Sequence, residues 1–212
     1  MIRLRFACSS YASLIVVGGH SRGVGKTSVV EHILRSRPED ETWAAVKVSA
    51  HRHAPASGAG PLVEETLRPS PLTQSGRYLL SGARRAFLCR TPDANLPETA
   101  AFVRGLLAEG THVIVESNRL ASLVEPDVLL FVVSPSVFDW KASSGPCLAR
   151  ADALVTGERA AAVPKAIAAR GARLDGRPVF EMTRDRVVRG LDAWVDGRLN
   201  RKASPWPVWA IA

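Results

Sequence analysis

The stretch SLIVVGGHSRGVGKTSVVEHIL, Ser13 to Leu34, constrains this chain more than any other. A β-branched run from Leu14 to Val17 leads into Gly18, Gly19, Gly23 and Gly25, after which Lys26, Thr27 and Ser28 open an amphipathic helix. Such a strand, turn and helix make a phosphate cradle, because glycines let successive amides turn inward and the helix N-terminus adds partial positive charge there. The spacing follows GxxxxGK[ST], with His20 standing at the first consensus glycine and Gly19 one place early. Gly23, Val24, Gly25, Lys26, Thr27 and Ser28 are therefore expected to bind nucleotide phosphates. Lys26 would reach the β and γ phosphates, and the Thr27 hydroxyl would hold magnesium.

The rest of the chain alternates apolar runs with helical patterns. Strands are expected at Thr42 to Ser49, Ala86 to Arg90, Thr111 to Asn118, Asp127 to Val133, Ala153 to Thr156 and Pro178 to Met182. Helices are expected from Lys26 to Arg37, Thr73 to Ala83, Pro92 to Gly110, Ala160 to Arg170 and Val187 to Leu199. Ala50 to Ser70 and SPSVFDWKASSG read as loops. Continuous apolar strands, rather than alternating ones, mark a parallel sheet covered on both faces. The expectation is a doubly wound α/β fold in three layers: residues 1–12 as an arm or edge strand, 13–202 as one domain, and 203–212 as a tail.

Two further residues carry chemistry. Glu116 ends a buried apolar strand with a carboxylate, the placement of an acid that binds magnesium beside a phosphate loop. Glu116 and Lys26 are the expected catalytic pair, and Thr27 and Glu116 the expected metal ligands. Lys47 falls at the end of the second strand. Arginine outnumbers lysine 23 to 5, and three of those lysines, Lys26, Lys47 and Lys141, lie beside predicted strand ends where a compact charge suits phosphate.

Composition bounds the remainder. With 46% apolar and 23% charged residues, 212 residues suffice for one good-sized core. The net charge of +8 comes from scattered arginines without an aromatic RNA-binding signature, so it does not point to nucleic acid. No run approaches the roughly 20 apolar residues of a membrane span. The start, MIRLRFACSSYASLIVVGG, has charges before an apolar run, as a signal peptide does, but no small-residue cleavage site. Cys8, Cys89 and Cys147 are far apart and odd in number, which fits free thiols in a cytoplasmic protein.

The order of pieces adds a resemblance. The phosphate loop, KVSAHRH after the second strand, GRYLLSGA, VES at a strand end, PDVLLFVV and ADALV together resemble the molybdopterin-guanine dinucleotide biosynthesis protein B family of P-loop GTP-binding proteins. That resemblance covers Leu14 to Glu158 and implies GTP (or ATP) and Mg2+ binding, slow hydrolysis and frequent dimerisation. It also implies an accessory role beside a molybdenum cofactor nucleotidyltransferase. Within it, Gly23, Gly25, Lys26 and Thr27 match the nucleotide loop, and Glu116 matches the strand-end acid. Lys47, His51 and His53 match the basic segment.

The chain also departs from that pattern. Ser117 replaces a glycine, Gln74 and Ser75 stand where an acid often precedes the GRYL-like helix, and Ser21 replaces the signature lysine of the MinD-type subgroup. No NKxD element is present to read guanine; Thr156, Gly157 and Glu158 occupy that region. Two other functions are open from the residues alone. One is an ATP-dependent ligase or kinase similar to dethiobiotin synthetase, using Lys47 and Lys141. The other is a metal-delivery GTPase using His51 and His53.

Overall fold

The computed structural model describes residues 11–50 and 62–203. Eight strands form one sheet: β1 (Leu14–Gly19), β2 (Trp43–Ser49), β3 (Leu62–Glu65), β4 (Arg85–Arg90), β5 (His112–Glu116), β6 (Val128–Val132), β7 (Ala153–Thr156) and β8 (Val179–Glu181). Their order is β3-β4-β2-β5-β1-β6-β7-β8, and every pairing is parallel except β3 with β4. All six residues of β1 are buried, as expected of a central strand covered on both sides.

Among the described residues six helices form the outer layers. On one face α1 (Lys26–Arg35), α2 (Gln74–Leu80) and α6 (Leu191–Ala203) bury Val29, Ile33, Tyr78, Leu191 and Val195 against Ile15, Val17, Ile114 and Leu130. On the other, α3 (Leu96–Ala108), α4 (Ser144–Arg150) and α5 (Val163–Ala168) bury Val103, Leu106, Leu148 and Ile167 against Leu14, Val16, Val113 and Leu129. Odd and even positions of β1 thus serve opposite cores, which is the period-two geometry of a strand between two layers. The expected three-layer α/β/α architecture is the one observed.

The loop read at Ala50 to Ser70 contains an additional edge strand. β3 runs antiparallel to β4, where Glu64 pairs with Arg90 and Glu65 with Arg85 at 2.8 Å. Those cross-strand charges register a segment whose residues are mostly exposed, which is why apolar periodicity missed it. The last helix begins at Leu191 rather than Val187. An isolated antiparallel bridge between Met182 and Val188, closed by Thr183 N donating to Val187 O at 2.8 Å, takes up the preceding residues. The end of SPSVFDWKASSG belongs to α4, and the helices expected at Pro92 and Ala160 open with short 3-10 turns.

β1 lies between β5 and β6, and the chain crosses from one side of it to the other between those two strands. A crevice therefore opens beyond the carboxyl ends of β5, β1 and β6, where open α/β sheets bind ligands. Every parallel strand end carrying a candidate residue points to that rim.

Candidate functional site

The glycine-rich turn is shaped by its backbone. Gly23 and Gly25 have φ of 73° and 103°, left-handed values that favour glycine. Gly25 is the residue before α1 and offers no side chain to cap it, leaving the first-turn amides to a ligand. The turn is also tied down from outside. Asn118, two residues past the end of β5, grips Gly19 twice: Gly19 N donates to Asn118 Oδ1 at 2.7 Å, and Asn118 Nδ2 donates to Gly19 O at 2.8 Å.

His20, at the consensus glycine position, is fully buried. Its ring lies 4.6 Å from that of Trp140, its Nε2 is 3.1 Å from Val137 O, and Lys141 N donates to His20 O at 3.0 Å. Ser21 Oγ donates to Asp139 Oδ2 at 3.3 Å. The imidazole thus works as a strut between the turn and the segment after β6. Burial, with further lowering from Lys26 and Arg170, keeps its pKa below the ordinary histidine value despite backbone hydrogen bonds that favour the charged ring.

Beside the turn is a network centred on Glu116, which is only 2% exposed. The β2–β5 register sets Lys47 directly against Glu116, and the ammonium pairs with Oε1. Oε2 accepts from Tyr78 OH at 2.5 Å and Thr27 Oγ1 at 2.9 Å, while Gln74 Nε2 donates to Thr27 Oγ1 at 3.0 Å. Burial alone would raise the Glu116 pKa, but the Lys47 charge and the hydrogen bonds from Lys47, Tyr78 and Thr27 outweigh it and hold the carboxyl below its usual range. Burial, and then the charge of Glu116, push the Tyr78 phenol well above its ordinary value.

Lys26 folds back across the turn, its Nζ donating to Ser21 O at 2.5 Å. Burial lowers its pKa to about 8; Glu116 opposes that shift, and Lys47 and Lys141 add to it. Lys141 is lowered too, by burial and by Arg22 and Lys47, with Asp139 and Glu116 opposing. Lys26 thus feels the charges of Lys47 and Lys141, and Lys141 those of Arg22 and Lys47. Neighbouring cations that repel one another are suited to a polyanion.

Alongside the turn lies a cavity of about 610 Å³, bordered by Gly23, Gly25, Ser134, Glu158, Met182 and Arg184. Glu158 accepts from Ser134 Oγ, from Ser136 Oγ at 2.8 Å and from Ser136 N at 3.2 Å. Burial raises its pKa, but these hydrogen bonds prevail and the net shift is downward.

The structure gathers Gly23, Val24, Gly25, Lys26, Thr27, Ser28, Lys47 and Glu116 on one rim. The Val24 side chain belongs to the core beneath, so this residue can contribute only its backbone. His51 and His53, Cys8, residues 1–10 of the arm and residues 204–212 of the tail lie outside the described residues. Cys89 and Cys147 are free and buried. Asn118 and Tyr78 were not singled out from the sequence, and Gln74 drew notice only as a departure from an acid. The one local clue was that Gln74 and Tyr78 are four residues apart on a helix, hence on one face.

Among the described residues no cluster of three or more His, Cys, Asp or Glu side chains could hold a metal ion. Magnesium is commonly held by one or two carboxylates with phosphates and water completing its shell, and adjacent oxygens at about 2.1 Å from the ion lie roughly 3 Å apart. The Thr27 Oγ1 to Glu116 Oε2 distance of 2.9 Å fits such a pair.

No helix among the described residues is long and apolar enough to cross a membrane. No model of a known protein family matches this chain, and no curated protein matches it.

Proposed function

We infer that this chain binds a nucleoside triphosphate, GTP or ATP, together with Mg2+ at the rim of β1 and β5 and hydrolyses it slowly. The observation that carries the reading is the 2.9 Å contact between Thr27, at the mouth of a glycine-rich turn, and the buried strand-end carboxylate of Glu116. The turn amides and Lys26 hold the phosphate chain, a role that positions and neutralises charge. Thr27 and Glu116 would hold magnesium, which when bound draws charge from phosphate oxygens. Glu116 also orders the attacking water, and Lys47 keeps that carboxylate ionised in a site where burial alone would favour its protonated form. The cavity beside Gly25 and Met182 accommodates the base.

The physiological role we assign is that of a cytoplasmic accessory factor in molybdenum cofactor biosynthesis, handing nucleotide-dependent states to a molybdenum cofactor nucleotidyltransferase. The order of motifs from Leu14 to Glu158 supports it. Calorimetric titration with GTP and ATP, with and without Mg2+, tests the core of the reading. Magnesium-dependent binding and slow release of free phosphate are expected; no affinity for either nucleotide, with an unchanged thermal midpoint, defeats it.

A second reading has its own support. Lys141 also borders a separate cavity of about 500 Å³ with Trp140, Arg170 and Arg173, room for an acidic second substrate of an ATP-dependent ligase or kinase. Product analysis separates the two, since a phosphorylated or cyclised small molecule favours the second and free phosphate alone the first.

A further inference from the structure

We propose that the cavity bordered by Arg170, Arg173 and Arg177 is a second anion site, separate from the glycine-rich turn, that takes a small molecule carrying a phosphate monoester. The proposal rests on the cavity of the second reading above and names the class of its ligand. At about 500 Å³ the cavity has the size of a small-molecule site. It lies between α4 and the segment joining α5 to β8, and no residue of the glycine-rich turn lines it.

Its charge sets it apart. Among the described residues, Lys141, Arg170, Arg173 and Arg177 line it against one carboxylate, Asp175. Elsewhere arginines meet acids, as Arg37 does Asp196 at 2.6 Å, Arg77 does Glu31 at 2.5 Å and Arg85 does Glu65 at 2.8 Å. Among the described residues Arg170, Arg173 and Arg177 have no such carboxylate partner. Neutral oxygens hold two of them instead. Arg177 donates from Nε to Leu174 O at 2.7 Å, from Nη1 to Leu148 O at 2.6 Å and from Nη2 to Arg173 O. Arg170 Nη2 donates to Phe138 O at 2.6 Å, and its guanidinium carbon lies 5.5 Å from the centre of the Trp140 ring. Carbonyls orient a guanidinium without cancelling its charge, so positive charge is fixed here before a ligand arrives. Arg173 is exposed and its side chain has no partner, which leaves it free to close on that ligand.

These features choose among anions. A phosphate monoester brings nearly two negative charges and three acceptor oxygens, and guanidinium forks match it two bonds at a time. A lone carboxylate brings one charge and two oxygens, and would leave most of the cations unmatched. Leu148, Ala149 and Ala172 give the same cavity an apolar side, which suits a short body attached to the charged head. Trp140 links the cavity to the turn, because the ring that carries Arg170 also lies 4.6 Å from that of buried His20. A ligand that draws Arg170 toward itself therefore alters the surroundings of this indole.

The test is calorimetric titration of the full chain with glycerol phosphate, which has no base to engage a nucleotide site. Wild type and Lys26→Ala are both expected to bind it with a dissociation constant of about 1 mM or tighter. Arg173→Glu should bind at least about tenfold more weakly, since a charge-assisted bond is replaced by repulsion. Arg68→Glu, the same charge change on an exposed residue just past β3 at the sheet edge, should bind as wild type. Succinate should bind at least about tenfold more weakly than glycerol phosphate. The change in tryptophan fluorescence on binding should be lost in Trp140→Phe. No binding by the wild type up to about 10 mM overturns the proposal. So does equal affinity of Arg173→Glu and Arg68→Glu, succinate binding as tight as glycerol phosphate, or a fluorescence response undiminished in Trp140→Phe. Binding that disappears in Lys26→Ala and survives in Arg173→Glu overturns it too, since the anion then sits on the turn. Failure of the wild type to bind GTP or ATP defeats the nucleotide reading instead, and absence of a phosphorylated product defeats the ligase or kinase reading; neither alters the glycerol phosphate titrations.

Discussion

Tyr78 OH lies 2.5 Å from Glu116 Oε2, a fully buried phenol from α2 bonded to a nearly fully buried carboxylate at the end of β5. The bond crosses between two elements that share no sequence pattern, and it fixes which way the carboxylate faces. Tyr78→Phe keeps the ring packed and deletes only the hydroxyl. It is expected to cost about 1.5–3 kcal/mol, the range for a hydrogen bond to a charged group. Denaturant unfolding reads that loss. Hydrolysis should slow while nucleotide affinity, set by the turn, stays near wild type.

Lys26→Ala should abolish nucleotide binding, because the ammonium lost there is the one that lies across the glycine-rich turn. Calorimetry reads this directly, and residual affinity near wild type would remove Lys26 from the phosphate site.

The same lysine predicts a pH dependence. Its folded pKa of about 8 lies below its unfolded value, which is near 10.4. Between the two, the unfolded chain holds a proton that the folded chain has released. The ligand-free protein should therefore gain stability as pH rises through that window, and the Lys26 contribution is least favourable below pH 8, where the ammonium is charged in a partly buried setting. Phosphate reverses the preference, so nucleotide binding near pH 8 should take up a fraction of a proton and weaken above it. Titration in buffers of different ionisation enthalpy measures the uptake, and Lys26→Arg should show none.

Glu116→Gln should leave nucleotide bound and slow hydrolysis by about 100-fold or more, since magnesium and the attacking water lose the carboxylate that positions them. The amide also leaves Lys47 without its counter-charge in a buried site, so a lower thermal midpoint should accompany the kinetic loss. Equal turnover by the two proteins would place the acid elsewhere.

Gly18 has no room for a methyl group: a Cβ there would collide with Cys147 Sγ and lie 2.8 Å from Asn118 Oδ1. Gly18→Ala is expected to destabilise by about 1–3 kcal/mol, the usual range for overpacking a core. Displacing Asn118 would also loosen its two bonds to Gly19 and weaken nucleotide binding. Adding Cys147→Ala removes the closer clash and should restore part of the stability, which thermal unfolding of the single and double variants can check.

Local pattern alone determined the strand, turn and helix from Leu14 to Arg35, because β-branched residues, glycines and the helix start each restrict backbone angles within a few positions. It also determined the buried strand ending in Glu116 and the α/β alternation that becomes the three-layer sheet. It could not find β3, which is held by charges on β4 rather than by its own apolar period. Nor could it choose the partners of Glu116. Lys47 reaches that carboxylate through the parallel register of β2 with β5, and Tyr78 through the docking of α2; both depend on contacts far apart in the chain. A strand end shows where a charge will emerge, but only the packed sheet and its helices decide what stands opposite, since burial and register set the distances on which hydrogen bonds and ion pairs depend.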